Sequence, residues 1–127
     1  VVADLGCGTA KIHAALHDRC EVLSFDHVAQ NEIVQVANVA RRVPLPDGAV
    51  DVAVLCLVAD WQKDWDGCLA EAARILALDG QLLLWETRGF IERIGGVDLL
   101  KETLERLSLK IVKIFDEHFV GIVAIKS

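Results

Sequence analysis

The stretch Val1-Val2-Ala3-Asp4-Leu5-Gly6-Cys7-Gly8-Thr9 decides how this chain is read. An apolar run leads straight into Gly-x-Gly, the pattern of a short buried strand entering a tight turn. Gly6 admits a sharp turn, and Gly8 lets a ligand approach the backbone closely, because neither carries a Cβ. Thr9 stands as a cap for a helix through about Asp18, with Ile12, Ala15 and Leu16 on one face. N–H groups at the start of such a helix are free to hold a carboxylate. A loop with two glycines is also an ordinary structural turn, so alone it selects no ligand.

Working outward, Glu21–Phe25 reads as a second strand ending on Asp26, and Ile33–Ala37 as a third. Val50–Val58 is long, apolar and β-branched, as a central strand should be. Asp64–Leu76 reads as a helix with Cys68, Leu69, Ala72, Ile75 and Leu76 at helical spacing, closed by Asp79-Gly80. Gln81–Thr87 is a strand, Val97–Leu107 a helix with Leu100, Leu104 and Leu107 on one side, and Ile111–Phe115 and Phe119–Ile125 a terminal antiparallel hairpin. This order predicts an α/β domain with a seven-stranded, mostly parallel sheet. The link from Asp26 to Glu32 is too short for a helical crossover, so the helix set between the second and fourth strands is reduced.

The chain has 127 residues and 54% apolar composition, enough for one domain with a real core. No stretch reads as a linker, a repeat, a secretory signal or a bilayer span. Val1 already lies inside an apolar run, so residues upstream of it are expected in the whole protein. Cys7, Cys20, Cys56 and Cys68 form no C-x-x-C pair and match no zinc spacing, which points to free thiols in a reducing compartment. His13 and His17 are one helical turn apart but have no third ligand in sight, so no metal is expected. The net charge of −6 argues against a broadly basic nucleic-acid surface and leaves a local one open.

Two carboxylates give the loop a ligand. Asp26 ends the second strand 20 residues after Gly6, where it can accept both hydroxyls of a ribose. A dinucleotide loop shares that acidic residue but wants a third glycine where Lys11 stands. It also faces a pyrophosphate, to which Asp4 brings no benefit. A ligand with a cationic amino acid end and a sulfonium tolerates Asp4 well, so the pattern favours S-adenosyl-L-methionine over NAD.

The motif Asp4-Leu5-Gly6-Cys7-Gly8-Thr9 resembles the first motif of class I methyltransferases, which implies their Rossmann-like fold. The resemblance extends to Pro44-Leu45-Pro46-Asp47-Gly48-Ala49-Val50-Asp51, to Ala70-Glu71-Ala72-Ala73-Arg74-Ile75-Leu76 and to Asp79-Gly80-Gln81-Leu82. Within that superfamily the chain is most similar to the ribosomal RNA-processing methyltransferases that include nucleomethylin. Val1–Gly8, Phe25-Asp26 with its abbreviated link, Val52-Ala53-Val54-Leu55-Cys56-Leu57, Trp85-Glu86-Thr87-Arg88-Gly89-Phe90 and His118-Phe119 carry this similarity. It implies methylation of N1 of an adenine in large-subunit ribosomal RNA, in the nucleolus. It also implies cofactor contacts at Asp4, Gly6, Cys7, Gly8, Asp26, His27, Asn38, Val39 and Cys56. Two departures stand out: Asn38 occupies a place where the family has an acidic residue, and Val58-Ala59-Asp60-Trp61 does not reproduce the family's small polar sequence.

The acceptor side rests on fewer residues. After the fourth strand, Asp60 can accept from an adenine amino group and Trp61 can stack on the base. Each is equally readable as a surface Asp and a packed Trp. Glu86, ending the fifth strand on the same edge, is a substrate contact or a solvated strand end. Arg41, Arg42, Arg88 and Arg93 follow the third and fifth strands. They form a basic rim suited to phosphate or belong to ordinary charged loops. Cys56 is expected to pack beside the cofactor rather than act as a nucleophile. Three functions remain: a ribosomal RNA adenine methyltransferase, a small-molecule methyltransferase, and a non-catalytic cofactor-binding module, for which Asn38 is the hint.

Overall fold

Alternating apolar strands and amphipathic helices assemble here into one seven-stranded sheet of order β3-β2-β1-β4-β5-β7-β6. The structure is a computed structural model that describes residues 1–56 and 61–127, with side chains in the latter from Asp64 onward. The strands are β1 (Val2–Leu5), β2 (Val22–Asp26), β3 (Gln35–Val36), β4 (Val50–Cys56), β5 (Leu76–Thr87), β6 (Leu109–Asp116) and β7 (Phe119–Lys126). The helices are α1 (Lys11–Leu16), α2 (Trp61–Ile75), α3 (Arg88–Arg93) and α4 (Gly96–Arg106). The first five strands run parallel, and β7 pairs antiparallel with both β5 and β6. The expected α/β class, parallel sheet and terminal hairpin are all present.

The chain runs outward from β1 to β3, then returns to place β4 on the other side of β1. Loops leaving β1 and β4 therefore diverge, and a crevice opens at the carboxyl ends of these strands. One sheet face is sealed. Ala3, Leu5, Ala53, Leu55, Leu82 and Leu84 pack there against Cys68, Leu69, Ala72 and Ile75 of α2 and Leu100 and Leu104 of α4. Each fully buried leucine contributes about 1.5–3 kcal/mol relative to exposure, so this layer supplies the main driving force. The other face carries Val54, Leu83 and Val123, which line an apolar groove with Ile12 of α1.

Several local expectations are corrected. Thr9 does not cap α1: Ala10 takes the N-cap in the left-handed region at φ 63°, with no side-chain cap, and the helix is six residues long. It buries no residue, so Ile12 and Leu16 are only half covered and Ala15 is exposed. Little packing energy is available to extend it to Asp18. The third strand shrinks to Gln35–Val36 because the Asn31 side chain accepts from Ile33 N–H at 3.0 Å and turns the chain before it. A break at Asp64 (φ −149°, ψ 65°) interrupts α2, and its carboxylate accepts from Gly67 N–H at 3.1 Å, capping the regular part. The helix is closed by Ile75, not by Asp79-Gly80. Those two residues lie inside β5, where the register with β4 jumps from Val50↔Leu76 to Val52↔Gln81. Lys126 Nζ donates to the Ala73 and Leu76 carbonyls at 2.7 Å each and satisfies the helix end. Helix α3, started by Thr87 Oγ1 accepting from Phe90 N–H, was not anticipated from the sequence. Leu57–Asp60, including the end of the expected fourth strand, lie outside the described residues.

Candidate active site at the switch point

The loop after β1 is anchored to β2 by its own backbone. Gly6 N–H and Cys7 N–H both donate to the Phe25 carbonyl, at 2.8 and 2.9 Å, and Gly8 N–H donates to Asp26 Oδ2 at 2.8 Å. Gly6 and Gly8 have φ of 76° and 57°, a region that glycine enters without strain. These N–H groups point inward, so they do not form the anion site expected at the start of α1, and the brief helix does not replace them.

Asp26 becomes the hub. Its Oδ1 accepts from His27 N–H and from His27 Nδ1, both at 2.7 Å, and the residue is 9% exposed. An ionised carboxylate only accepts, so the proton of that contact sits on Nδ1. The link that replaces a crossover helix also serves the loop: Asn31 Nδ2 donates to the Thr9 carbonyl at 3.0 Å. Sequence reading had no signal for this bond beyond the polarity of the link.

Asp4 and Ser24 are register partners on β1 and β2, and both are buried, at 3% and 1% exposure. Among the described residues no side chain hydrogen-bonds the Asp4 carboxylate, and Ser24 Oγ has no partner at all. Burial, and then the nearby charge of Asp26, push the Asp4 carboxyl up to about 6. A buried carboxylate without a partner is unfavourable, so its presence at the crevice fits a cationic or donor ligand. Cys7 is pushed up to about 11 by burial, Asp4 and Asp26, and Cys56 is raised by burial, Asp4 and Glu86. Both thiols therefore stay protonated at neutral pH and are poor nucleophiles; Cys7 is half-buried and Cys56 is exposed.

Asn38 and Val39 stand next to this hub. Ala37 N–H donates to the Asp26 carbonyl at 2.9 Å, which brings the segment to the end of β2. Val39 is fully buried, whereas Asn38 is exposed. Asn38 Oδ1 accepts from Ala40 N–H at 3.1 Å, so one of its lone pairs is committed to a local turn. The turn is held from behind by a clamp the sequence reading passed over. Glu71 accepts from Val43 N–H, and Arg74 donates to Glu71, to the Val43 and Leu45 carbonyls and to Asp47. Burial pushes the Glu71 carboxyl up, but Arg74 and the Val43 N–H outweigh it and leave it below the usual range. The two quoted motifs around Pro44–Asp51 and Ala70–Leu76 thus meet through one ion pair.

At the end of β5, Glu86 is buried at 7% exposure and its Oε1 accepts from the Thr87 N–H at 2.8 Å. Asp60, and the side chain of Trp61, lie outside the described residues. Trp85 stacks on Phe119 with centroids 5.4 Å apart, and Gly121 makes room for it, since a Cβ there would meet the indole at 2.6 Å. The arginine rim does not gather as four free cations. Arg88 pairs with Asp116 at 2.9 Å and Glu92 at 3.8 Å, Arg93 lies over the Phe90 ring, and Arg41 and Arg42 are exposed. The His13 and His17 rings stack at 5.0 Å, and among the described residues no group of three His, Cys, Asp or Glu side chains is placed to hold a metal. No helix among the described residues is long and apolar enough to cross a membrane.

A family model described as "Hypothetical methyltransferase" matches residues 1–126. The chain belongs to this methyltransferase family. It is 46% identical over 100 residues to the 25S rRNA (adenine(645)-N(1))-methyltransferase of Schizosaccharomyces pombe, covering 76% of this chain and 31% of that protein. It is 36% identical over 99 residues to the Ribosomal RNA-processing protein 8 of Arabidopsis thaliana, covering 77% of this chain and 33% of that one. The methyltransferase thus spans only about a third of the length of these relatives. A SAM-dependent methyltransferase structure from Methanosarcina mazei superposes with a TM-score of 0.77 at 15% identity, over 98% of this chain and 91% of that one, which shows the shared fold.

Proposed function

We propose that this domain is the catalytic core of an S-adenosyl-L-methionine-dependent methyltransferase that modifies N1 of an adenine in large-subunit ribosomal RNA, in the nucleolus. The observation that carries the cofactor is the placement of Asp26 and Asp4 at the switch point, the first bonded to the glycine loop and the second buried with no side-chain hydrogen bond among the described residues. The names of the relatives support the choice of acceptor. In this reading Asp26 holds the ribose, Asp4 faces the cationic amino acid end, and Asn38, Val39 and Cys56 border the adenine. His27 adjusts Asp26, while Asp60, Trp61 and Glu86 face the acceptor base. When bound, the cofactor supplies a methyl group on a sulfonium for in-line displacement. The adenine N1 already offers a lone pair, so the protein's work is positioning and exclusion of water. Arg41 and Arg42 are the rim residues left to meet phosphate, a smaller basic patch than the sequence suggested.

Two variants test the cofactor site. Asp26→Ala should weaken S-adenosylhomocysteine binding by about 1–3 kcal/mol in calorimetry, the worth of charged hydrogen bonds. Gly8→Val should abolish binding: its Cβ would meet no protein atom within 4 Å and would project into the space the ligand needs, while a β-branched residue at φ +57° also strains the loop. Wild-type affinity in either variant would place the cofactor elsewhere. For the acceptor, primer extension across large-subunit ribosomal RNA from cells lacking the protein should lose one adenine stop. An unchanged profile would remove RNA and favour a small-molecule substrate, a reading to which the neutralised Arg88 already lends weight.

A further inference from the structure

Among the described residues, Ser24 Oγ is buried and has no hydrogen-bond partner. A buried hydroxyl left idle is unfavourable, so it calls for a partner in another state of the molecule. On β1, Ala3 and Leu5 belong to the sealed core, and alternation turns Asp4 to the opposite sheet face. Phe25 is also in that core, which puts Ser24 on the same face as Asp4, its register partner. Paired strands lie about 4.8 Å apart, whereas the next same-face position on β2, Asp26, is about 6.6 Å along the strand. The Asp26 carboxylate already accepts from Gly8 N–H, His27 N–H and the His27 ring. On the other side, pairing of β2 with β3 starts only at Phe25. The Asp4 carboxylate accepts no side-chain hydrogen bond among the described residues. A turn of χ1 between staggered wells lets the serine hydroxyl lean across to it.

We propose that Ser24 is a positioning residue whose hydroxyl swings onto the Asp4 carboxylate when that group ionises. It holds one carboxylate oxygen and leaves the other to meet the cationic end of the cofactor. This inference rests on the cofactor reading of Asp4 and extends it to a residue that touches no ligand. The other titratable groups around Asp4 are Asp26 at the end of β2, Cys7 in the glycine loop and Cys56 on β4. On α1, whose Ile12 lines the groove on this side of the sheet, His13 is half-buried and stacks on His17. Asp26 repels the charge on Asp4, and none of the others donates to it through a side chain, so Ser24 is the donor at hand.

Ser24→Ala tests this, since it removes only the unpaired oxygen and keeps the strand. A hydrogen bond to the charged form favours that form, so its loss must raise the pH at which Asp4 ionises. The carboxyl ¹³C resonance of Asp4, followed by NMR in the ligand-free protein, should titrate in Ser24→Ala on the order of one pH unit above the wild type. Calorimetry should show the pH step in S-adenosylhomocysteine affinity displaced upward by the same interval. A packing defect alone would weaken binding equally at every pH and leave both midpoints in place. Coincident Asp4 midpoints in the two proteins overturn the proposal and leave the cofactor site standing. An Asp4 midpoint that moves while the affinity of both proteins ignores pH removes Asp4 from the cofactor site, and the positioning role of Ser24 with it.

Discussion

Arg74→Ala is expected to lower the unfolding free energy by about 3–5 kcal/mol, because it strands a buried carboxylate. Glu71 is 5% exposed and would keep only the Val43 N–H. The Val43 and Leu45 carbonyls would lose their donors at the same time. The arm to Asp47 adds little, since that carboxylate is 82% exposed and screened by water. Against a typical domain stability of about 5–15 kcal/mol the loss is large. A urea titration should show the midpoint falling by on the order of 1–3 M with an unchanged slope. Combining Glu71→Leu with Arg74→Met should recover much of it, because neither charge is then left alone in the interior. A midpoint that does not move in the single variant would mean that the loop from Val43 to Asp47 is held by other contacts.

Asp4→Asn should make the protein more stable and less able to bind its cofactor. In the unfolded chain Asp4 ionises near its ordinary value of 3.8, and in the folded state near 6. Between those values the folded state holds the proton that the unfolded state has released, so stability falls as pH rises through this window. Above it the full penalty applies, on the order of 3 kcal/mol for a shift of this size. Asparagine cannot ionise, so thermal melts of Asp4→Asn should lack that decline and run above the wild type at pH 7–8. Cofactor affinity should behave oppositely. In the wild type it should strengthen as pH rises through about 6, where the carboxylate that meets the cation forms, and in Asp4→Asn the step should be absent. A variant that matches the wild type in both respects would remove Asp4 from the site. The combination expected here, stability given up for a charge placed where a ligand needs it, is a common cost of active sites.

The positions of Asp4 and Asp26 were legible because strand period and turn chemistry act locally. A carboxylate in the last residues of a parallel strand must lie at the ligand-binding edge, whatever the rest of the chain does. The same locality made Cys68, Leu69, Ala72 and Ile75 readable as a buried helix face, and the shortness of the Asp26–Glu32 link readable as a missing crossover helix. Reading failed where the outcome depended on distant partners. Thr9 had the right chemistry for a cap, but Gly8 N–H was drawn to Asp26 and the chain entered α1 one residue later through Ala10. Asp79-Gly80 looked like a helix stop, yet pairing with β4 absorbed it as an irregularity within β5. The arginine rim looked continuous until Asp116, from the β6–β7 hairpin, paired with Arg88.

By itself, then, the sequence determined the layer architecture, the strand that carries the glycine loop and the two carboxylates that flank it. Those follow from periodicity and from residue chemistry over a few positions. Only the tertiary structure decided which donors Asp26 already satisfies, that Asp4 is buried with no side-chain hydrogen bond among the described residues, and that Glu71 and Arg74 hold the turn beside the site. Each of these is set by burial and by hydrogen bonds between residues 18 to 31 apart in the chain, or by charge in a low-dielectric interior. No local pattern encodes a distance of that kind.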